Sequence, residues 1–207
     1  MCGFIGRINK LSLETNSLFS SLAFLKRRGP DYTGYRLSQN KKIEMLHVRL
    51  AFVDLNNRAV QPFTNRAKGI TVAFNGEIYN YQELKRMLSK DYFFETQSDT
   101  EVLLAMYATR GLEGLNQLKG FFSGAIVDES LGRVFLFRDA IGKKPLFLAN
   151  WSDGVYFGST ILALMSASQH KQKIRTEMLP DFWLKGYVSP SKTLFEDCFP
   201  CVTGTDY

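Results

Sequence analysis

The sequence predicts an α+β domain whose β-structure is largely antiparallel. Strand-like segments flank a helical middle, and a run of consecutive strand-like segments follows with only short turns between them. No internal repeat, low-complexity stretch or long linker interrupts the chain before about residue 170. We therefore expect one domain over 1–207, with a core at about 2–170 and a linker-like tail at 176–207.

The first part of the chain combines strands with one short helical segment. An apolar, glycine-punctuated strand is predicted at 2–8. Leucines at 18, 22 and 25 then recur at helical spacing until Gly29-Pro30 ends the pattern. Two further segments have strand length and strand patterning, at 41–55 and 69–79.

The middle of the chain is helical, and the end is rich in strands. An amphipathic helix is predicted at 80–90. In the next helix, 98–111, Ser98 and Glu101 have the spacing of a capping box and Gly111 that of a C-cap. Four strands separated by turn signals are then predicted, at 121–129, 132–140, 145–150 and 154–159.

The composition is that of a globular protein with a packed core. Of 207 residues, 45% are hydrophobic and 22% charged, and the net charge is 26 − 20 = +6. The basic clusters are short and scattered and accompany no nucleic-acid motif, so no nucleic-acid partner is expected. No apolar run reaches the roughly 18–20 residues of a membrane span, and no secretory signal opens the sequence. We expect a cytoplasmic protein without a membrane partner.

Cys2 has two interpretations. A cysteine at this place is often a small apolar residue entering a first strand. If Met1 is removed, however, Cys2 carries a thiol and a free α-amine, so the nucleophile and its base lie on one residue. The only histidines, His47 and His170, do not stand in a recognisable Cys/His signature.

The other two cysteines, Cys198 and Cys201, form a C-x-x-C pair. Such a pair is found in zinc sites and in redox motifs. The sequence contains no second pair, and no helix-opening context follows. We therefore favour two incidental cysteines.

Two further groups could bind an amino-acid substrate. Asn75-Gly76 reads as a turn, yet an amide side chain beside a glycine N–H also supplies two donors for an oxyanion. Arg49 interrupts an apolar strand and either snorkels or clamps a carboxylate. Asp99, at a helix start, either complements the helix dipole or binds an ammonium group.

Taken together, these signals resemble a known family. The segments MCGFIG, RRGPDYTGY, RLAFVDL, QPF, NGEIYNY, SDTEVLL, GFFSGAIVDE and RDAIGKKPLF occur in this order within residues 1–165. They are similar to the class II glutamine amidotransferase domain of asparagine synthetases. The resemblance implies an N-terminal-nucleophile (Ntn) hydrolase fold, a four-layer αββα sandwich with two stacked antiparallel sheets.

The resemblance also implies an activity and a site. Glutamine would be hydrolysed to glutamate and ammonia for an amide transfer of the asparagine synthetase type, with Cys2 as nucleophile and Asn75 and Gly76 as the oxyanion hole. The alternative is a catalytically silent binding or scaffold domain of the same fold. The residues expected to hold glutamine are Arg49, Leu50, Val53, Glu77 and Asp99.

The same resemblance implies which cofactors and partners to expect. The glutaminase half needs neither a metal nor an organic cofactor. ATP and Mg²⁺ would belong to a synthetase domain, and the sequence contains neither a P-loop nor an SGGxDS turn. The expected partners are L-glutamine and a synthetase domain or ammonia-accepting subunit, and a homodimer remains open. In the tail we expect an exposed apolar surface formed by Phe182, Trp183, Leu184, Tyr187 and Phe195.

Two departures from the family pattern concern polar positions. Val48 stands where the family has a more polar residue, and Thr160 stands where a glutamate is typical. Thr160 lies outside the expected glutamine pocket. We therefore expect the change at Thr160 to affect coupling to a partner domain more than glutamine hydrolysis.

Overall fold

The computed structural model describes residues 2–10, 17–50, 59–168 and 170–201. Within these ranges, two antiparallel sheets stack face to face and helices cover their outer sides. This is the α+β fold with two stacked sheets that the sequence predicts. No helix in the described ranges is both long enough and apolar enough to cross a membrane.

The larger sheet has six strands in the order β10-β8-β9-β1-β3-β2. Every neighbouring pair is antiparallel. The strands are β1 Gly3–Asn9, β2 Tyr32–Leu37, β3 Ile43–Arg49, β8 Phe147–Trp151, β9 Gly154–Gly158 and β10 Cys198–Pro200.

The smaller sheet has four strands in the order β4-β5-β6-β7 and is also antiparallel. Its central strands, β5 and β6, pair over their full length, which makes them the rigid centre of this half of the molecule. The strands are β4 Phe63–Asn65, β5 Ile70–Ile78, β6 Gly120–Asp128 and β7 Arg133–Arg138.

Helices form the two outer layers. Those against the larger sheet are α1 Leu22–Leu25, which follows a 3-10 turn at Ser17–Ser21, and α4 Ile161–Ala167. Those against the smaller sheet are α2 Tyr81–Leu88 and α3 Asp99–Leu115. In the tail, a 3-10 turn at Thr176–Met178 leads into α5 Leu179–Lys185.

The alternation of strand side chains produces three apolar layers. In β1, Phe4 lies between the two sheets whereas Ile5 faces the helices. In β3, Ile43 and Met45 lie between the sheets, so His47 and Arg49, at the same two-residue spacing, lie on that face too. This register brings Arg49 to the end of the gap between the sheets.

The predicted N-terminus of α3 is correct, but its capping box is wrong. Ser98 is the N-cap, and its hydroxyl accepts a hydrogen bond from Thr100 N at 3.1 Å. The Glu101 carboxylate does not return to Ser98 and instead accepts from Thr96 N at 2.6 Å and from Glu95 N at 2.9 Å. The preceding loop competes successfully for this carboxylate because two backbone donors and the Thr96 hydroxyl converge on it.

Other differences concern weakly patterned segments. Gly111 has a φ of 64°, as a C-cap requires, yet helix α3 resumes beyond it to Leu115. The short strands β4 and β10 and the edge strand β2 were not predicted. The β2 side chains are only partly buried, because β2 pairs with β3 alone, so an alternating pattern is weak there.

The tail is more closely attached to the fold than the sequence suggests. Trp183, Leu184 and Tyr187 are exposed as predicted, and Phe182 is 38% exposed. The prediction for Phe195 is wrong, because its ring is half-buried against the core of the larger sheet. Strand β10 also pairs with β8, so the larger sheet extends beyond residue 170.

Candidate active site

A cavity of about 110 Å³ opens where the start of β1, the end of β3 and the middle of β5 meet. Both cationic and anionic side chains face it, together with one thiol. Such a mixture suits a small zwitterion better than an apolar ligand. Its lining residues are Cys2, Arg49, Leu50, Gln61, Phe74, Asn75, Gly76, Glu77, Ser98, Asp99, Thr100 and Lys144.

Cys2 lies directly before β1, with its thiol against the backbone that follows β3. Its Sγ accepts from Leu50 N at 3.5 Å and lies 3.7 Å from Leu50 O. Arg28 Nε donates to the Cys2 carbonyl at 3.0 Å, which fixes the backbone of the nucleophile. Burial raises the pKa of the Cys2 thiol, partly offset by the Leu50 hydrogen bond. The thiol therefore needs a base to become a thiolate at neutral pH.

Asn75 extends from β5 toward the larger sheet and reaches the nucleophile. Both ends of its amide are satisfied when Nδ2 donates to Cys2 O at 3.0 Å and Oδ1 accepts from Arg28 Nη2 at 3.3 Å. An amide nitrogen carries two hydrogens, so a second donor is available for the cavity. Asn75 is 1% exposed, so its amide is shielded from water.

The backbone of β5 supplies a second donor at Gly76. Phe74 N and Ile78 N donate to side chains on the free edge of β5, and N–H groups two residues apart point to the same edge of a strand. The Gly76 N–H therefore points to that edge as well. A Cβ at Gly76 would lie 2.2 Å from Phe121 O, so only glycine allows β6 to approach here.

Asp99, the first residue of α3, places a carboxylate at the cavity. Its Oδ2 accepts from Ile78 N at 3.2 Å, and the side chain is almost fully buried. Burial raises the pKa of Asp99 to about 6, and the neighbouring Glu77 adds to the increase. Hydrogen bonds from the Ile78 and Thr100 backbones act in the opposite direction.

The remaining predicted residues are brought to the same place with one exception. Arg49, Leu50 and Glu77 all line the cavity. Val53 lies outside the described residues. Arg49 is 6% exposed, so its guanidinium is a desolvated cation at the cavity wall rather than a snorkelling surface group.

The sequence reasoning missed several lining residues. Lys144 is the clearest, because it adds a second cation to the cavity lining. Its position is fixed by the buried Asp139 carboxylate, which accepts from Lys144 N at 3.1 Å. Gln61 was also missed, although it lies within the QPF segment that carried the family resemblance.

The other two cysteines and His170 lie elsewhere. Cys198 and Cys201 are buried free thiols, and burial raises the pKa of Cys198 to about 12. His170 is at the surface, 2.9 Å from Asp153. No group of three or more candidate metal ligands occurs in the part of the chain that the structure describes.

Comparison with known proteins assigns the chain to a family. A family model for the glutamine amidotransferase domain matches residues 1–205. The chain belongs to this family of glutamine amidotransferase domains.

Its relatives include glutamine-hydrolysing asparagine synthetases. Asparagine synthetase [glutamine-hydrolyzing] 2 of Bacillus subtilis is 36% identical over 192 residues, which is 90% of this chain and 25% of that protein. Asparagine synthetase B [glutamine-hydrolyzing] of Escherichia coli K12 is 37% identical over 159 residues, or 76% of this chain and 27% of that protein. The chain thus spans about a quarter of the length of these relatives.

Solved structures share the fold. Glutamine phosphoribosylpyrophosphate amidotransferase from B. subtilis, in complex with ADP and GMP, superposes with a TM-score of 0.69. The match covers 80% of this chain and 43% of that chain at 22% identity. It confirms the predicted Ntn amidotransferase fold.

Proposed function

We propose that this domain hydrolyses L-glutamine to glutamate and ammonia, with Cys2 as the nucleophile. The observation that carries the proposal is the shared cavity, which contains the thiol, the Asn75–Gly76 donors and a cation and a carboxylate suited to an α-amino acid. The family assignment supports the same conclusion.

Glutamine would be held at its two backbone charges. Arg49 binds the α-carboxylate and Asp99 the α-ammonium, as charge-assisted hydrogen bonds favour. Glu77 adds a second carboxylate on the ammonium side. Leu50 at the cavity wall, and Val53, which lies outside the described residues, are proposed as further contacts. In this proposed arrangement the side-chain amide of the substrate would lie toward Cys2.

The reaction would proceed through a thioester. The Cys2 thiol transfers its proton to the α-amine of the same residue, and Sγ attacks the side-chain amide carbon of glutamine. The tetrahedral oxyanion accepts hydrogen bonds from Asn75 Nδ2 and Gly76 N–H. Collapse of the intermediate breaks the C–N bond, and the leaving nitrogen takes the proton and departs as ammonia.

Hydrolysis would complete the cycle. The α-amine accepts a proton from water as the hydroxyl adds to the thioester carbon. The same two donors stabilise the second oxyanion, and each such donor typically contributes about 3–4 kcal/mol to the lowering of the barrier. Release of glutamate returns the proton to the thiol.

The fate of the ammonia would depend on a second protein unit. Because the relatives are asparagine synthetases about four times longer, a synthetase domain or subunit that uses ATP and Mg²⁺ is the proposed acceptor. Aspartate is then the proposed amide acceptor, and the cytoplasm the proposed location. The glutaminase half is proposed to act without a cofactor.

A glutaminase assay with an active-site label tests the proposal. Protein verified by mass to lack Met1 should release glutamate from glutamine, and a glutamine-analogue diazoketone should add one label to the peptide that contains Cys2. Cys2→Ala should lose both. Cys198→Ala, which alters a buried cysteine outside the cavity, is the matched control. Absence of glutamate release from unlabelled wild-type protein, in a preparation whose Cys2 does accept the label, would favour the scaffold alternative.

A further inference from the structure

Two buried side chains from other parts of the chain bind the backbone of Phe74, the residue before the oxyanion donors. Gln61 Oε1 accepts from Phe74 N at 2.6 Å. At the carbonyl of the same residue, His47 Nε2 lies 3.1 Å from Phe74 O. Gln61 is 5% exposed and His47 is fully buried, so both hydrogen bonds are shielded from water.

These two hydrogen bonds take the place of the backbone bonds that a neighbouring strand would make to Phe74. Within the described residues, β4 pairs with β5 only as far as Val72, while β6 occupies the opposite edge of β5 throughout. Buried backbone N–H and C=O groups must be paired. At Phe74, side chains supply the partners that a strand would otherwise supply.

The Gln61 amide also connects β5 to α3. Its Nε2 donates to Thr100 Oγ1 at 3.1 Å, and Thr100 follows Asp99 directly. One side chain therefore connects β5, which carries the oxyanion donors, to α3, which carries the substrate-binding carboxylate. Asp99 itself binds Ile78 N, so β5 is attached on both sides of Asn75–Gly76.

The chemistry of His47 fits a fixed donor. Because Phe74 O can only accept, Nε2 must carry the hydrogen, and Nδ1 has no hydrogen-bond partner among the described residues. Burial lowers the pKa of His47 to about 4, so the ring is neutral at physiological pH. A neutral ring in a single tautomer keeps the bond to Phe74 in place.

We infer that His47 and Gln61 are positioning residues, which hold the Phe74 peptide and thereby place the Asn75 and Gly76 donors against the oxyanion. The inference depends on the proposed glutaminase activity. Donors that act on the oxyanion interact more strongly with the transition state than with bound glutamine. Loss of either positioning bond therefore lowers kcat by a larger factor than it changes KM.

Kinetics of matched variants test this role. His47→Leu and Gln61→Met remove the bonds while retaining similar volume. The number of active sites is counted by diazoketone labelling of Cys2 in a separate sample, and kcat per active site should fall about 10- to 100-fold. His47→Gln restores a donor near the position of Nε2 and should recover most of the loss. His170→Leu, at the surface histidine outside the cavity, should match wild type. Counting only labelled sites removes the contribution of misfolded protein.

Amide hydrogen exchange provides a readout independent of turnover. The Phe74 amide should exchange at least about tenfold faster in Gln61→Met than in wild type, because its buried acceptor is gone. Wild-type kcat per active site in either His47→Leu or Gln61→Met, or unchanged Phe74 exchange in Gln61→Met, would overturn the inference. Failure of the proposed function is distinct, since wild-type protein itself would then release no glutamate.

Discussion

Asp99 and Ile78 connect the substrate-binding helix to the strand that carries the oxyanion donors. The Asp99 Oδ2 accepts from Ile78 N at 3.2 Å, two residues beyond Gly76. The carboxylate that would bind the substrate ammonium therefore also fixes the end of the catalytic segment. Substitutions at Asp99 must be designed to separate these two roles.

Asp99→Asn keeps an oxygen that can accept from Ile78 N but removes the charge. Glutamine binding should weaken by about 2–4 kcal/mol, which corresponds to a KM at least about 30-fold higher. Steady-state kinetics would show this as a change in KM larger than the change in kcat. Asp181→Asn, at an exposed carboxylate in the tail, is the matched control. Equal KM values in Asp99→Asn and wild type would remove Asp99 from the glutamine site.

The same substitution should stabilise the fold at neutral pH. Asp99 has a pKa of about 6 in the folded protein, above the ordinary value of 3.8, so the folded state holds the proton more tightly. Its contribution to stability is present below the unfolded pKa and is lost as pH rises through about 6. At pH 7 the free energy of unfolding of Asp99→Asn should therefore exceed that of wild type by about 2 kcal/mol. At pH 3 the two proteins should unfold at the same denaturant concentration. A destabilised Asp99→Asn protein at pH 7 would contradict the desolvated carboxylate.

Glutamine affinity should fall in mild acid. Asp99 must be ionised to bind an ammonium, and its pKa of about 6 means that it becomes neutral below that pH. The other charged groups at the cavity are Arg49, Lys144 and Glu77. Calorimetry on Cys2→Ala, which binds without reacting, should show affinity decreasing from pH 7 to pH 5. In Cys2→Ala/Asp99→Asn this decrease should be absent, and its persistence would assign the titration to another group.

Asn75→Ala should separate chemistry from binding. The amide contacts Cys2 O and Arg28 and supplies the oxyanion donor, so its loss should lower kcat about 100- to 1000-fold. KM should change little, because neither substrate charge contacts this amide. Asn65→Ala, which removes an amide bonded to Tyr92 far from the thiol, should retain wild-type kcat. If Asn75→Ala changed KM alone, Asn75 would be a binding residue only.

Retention of Met1 should abolish turnover. Burial raises the pKa of the Cys2 thiol, so the thiol needs a base, and the proposed base is the α-amine of Cys2. A preceding peptide bond removes that base. Protein fractions separated by intact mass should show glutamate release only where Met1 is absent. Equal rates in the two fractions would require a different base.

The sequence predicted the cavity residues better than it predicted how they are held. Cys2, Asn75, Gly76 and Asp99 could be found because each has a local signal, such as a near-terminal thiol or a helix N-terminus. His47 and Phe74 are 27 residues apart and meet only because the two sheets stack. No local pattern reports such a contact.

The same reasoning explains the errors in secondary structure. Alternation identifies a strand only where one face is buried, and β2 is partly exposed on both faces. Ser98 and Glu101 have the spacing of a capping box, but the Glu101 carboxylate accepts hydrogen bonds from the backbone of residues 95–96 instead. Phe195 was assigned to an exposed surface because the sequence does not show that β10 joins the larger sheet.

The proposed reaction passes through a γ-glutamyl thioester on Cys2. Protein lacking Met1 would be mixed with glutamine, quenched in acid within one turnover and digested for mass spectrometry. We expect the γ-glutamyl group on the peptide that begins with Cys2, and its absence from the peptide containing Cys198 and Cys201. Release of glutamate at the wild-type rate with no acyl group on Cys2 would contradict Cys2 as the nucleophile. Release of glutamate at that rate by Cys2→Ala would contradict it as well.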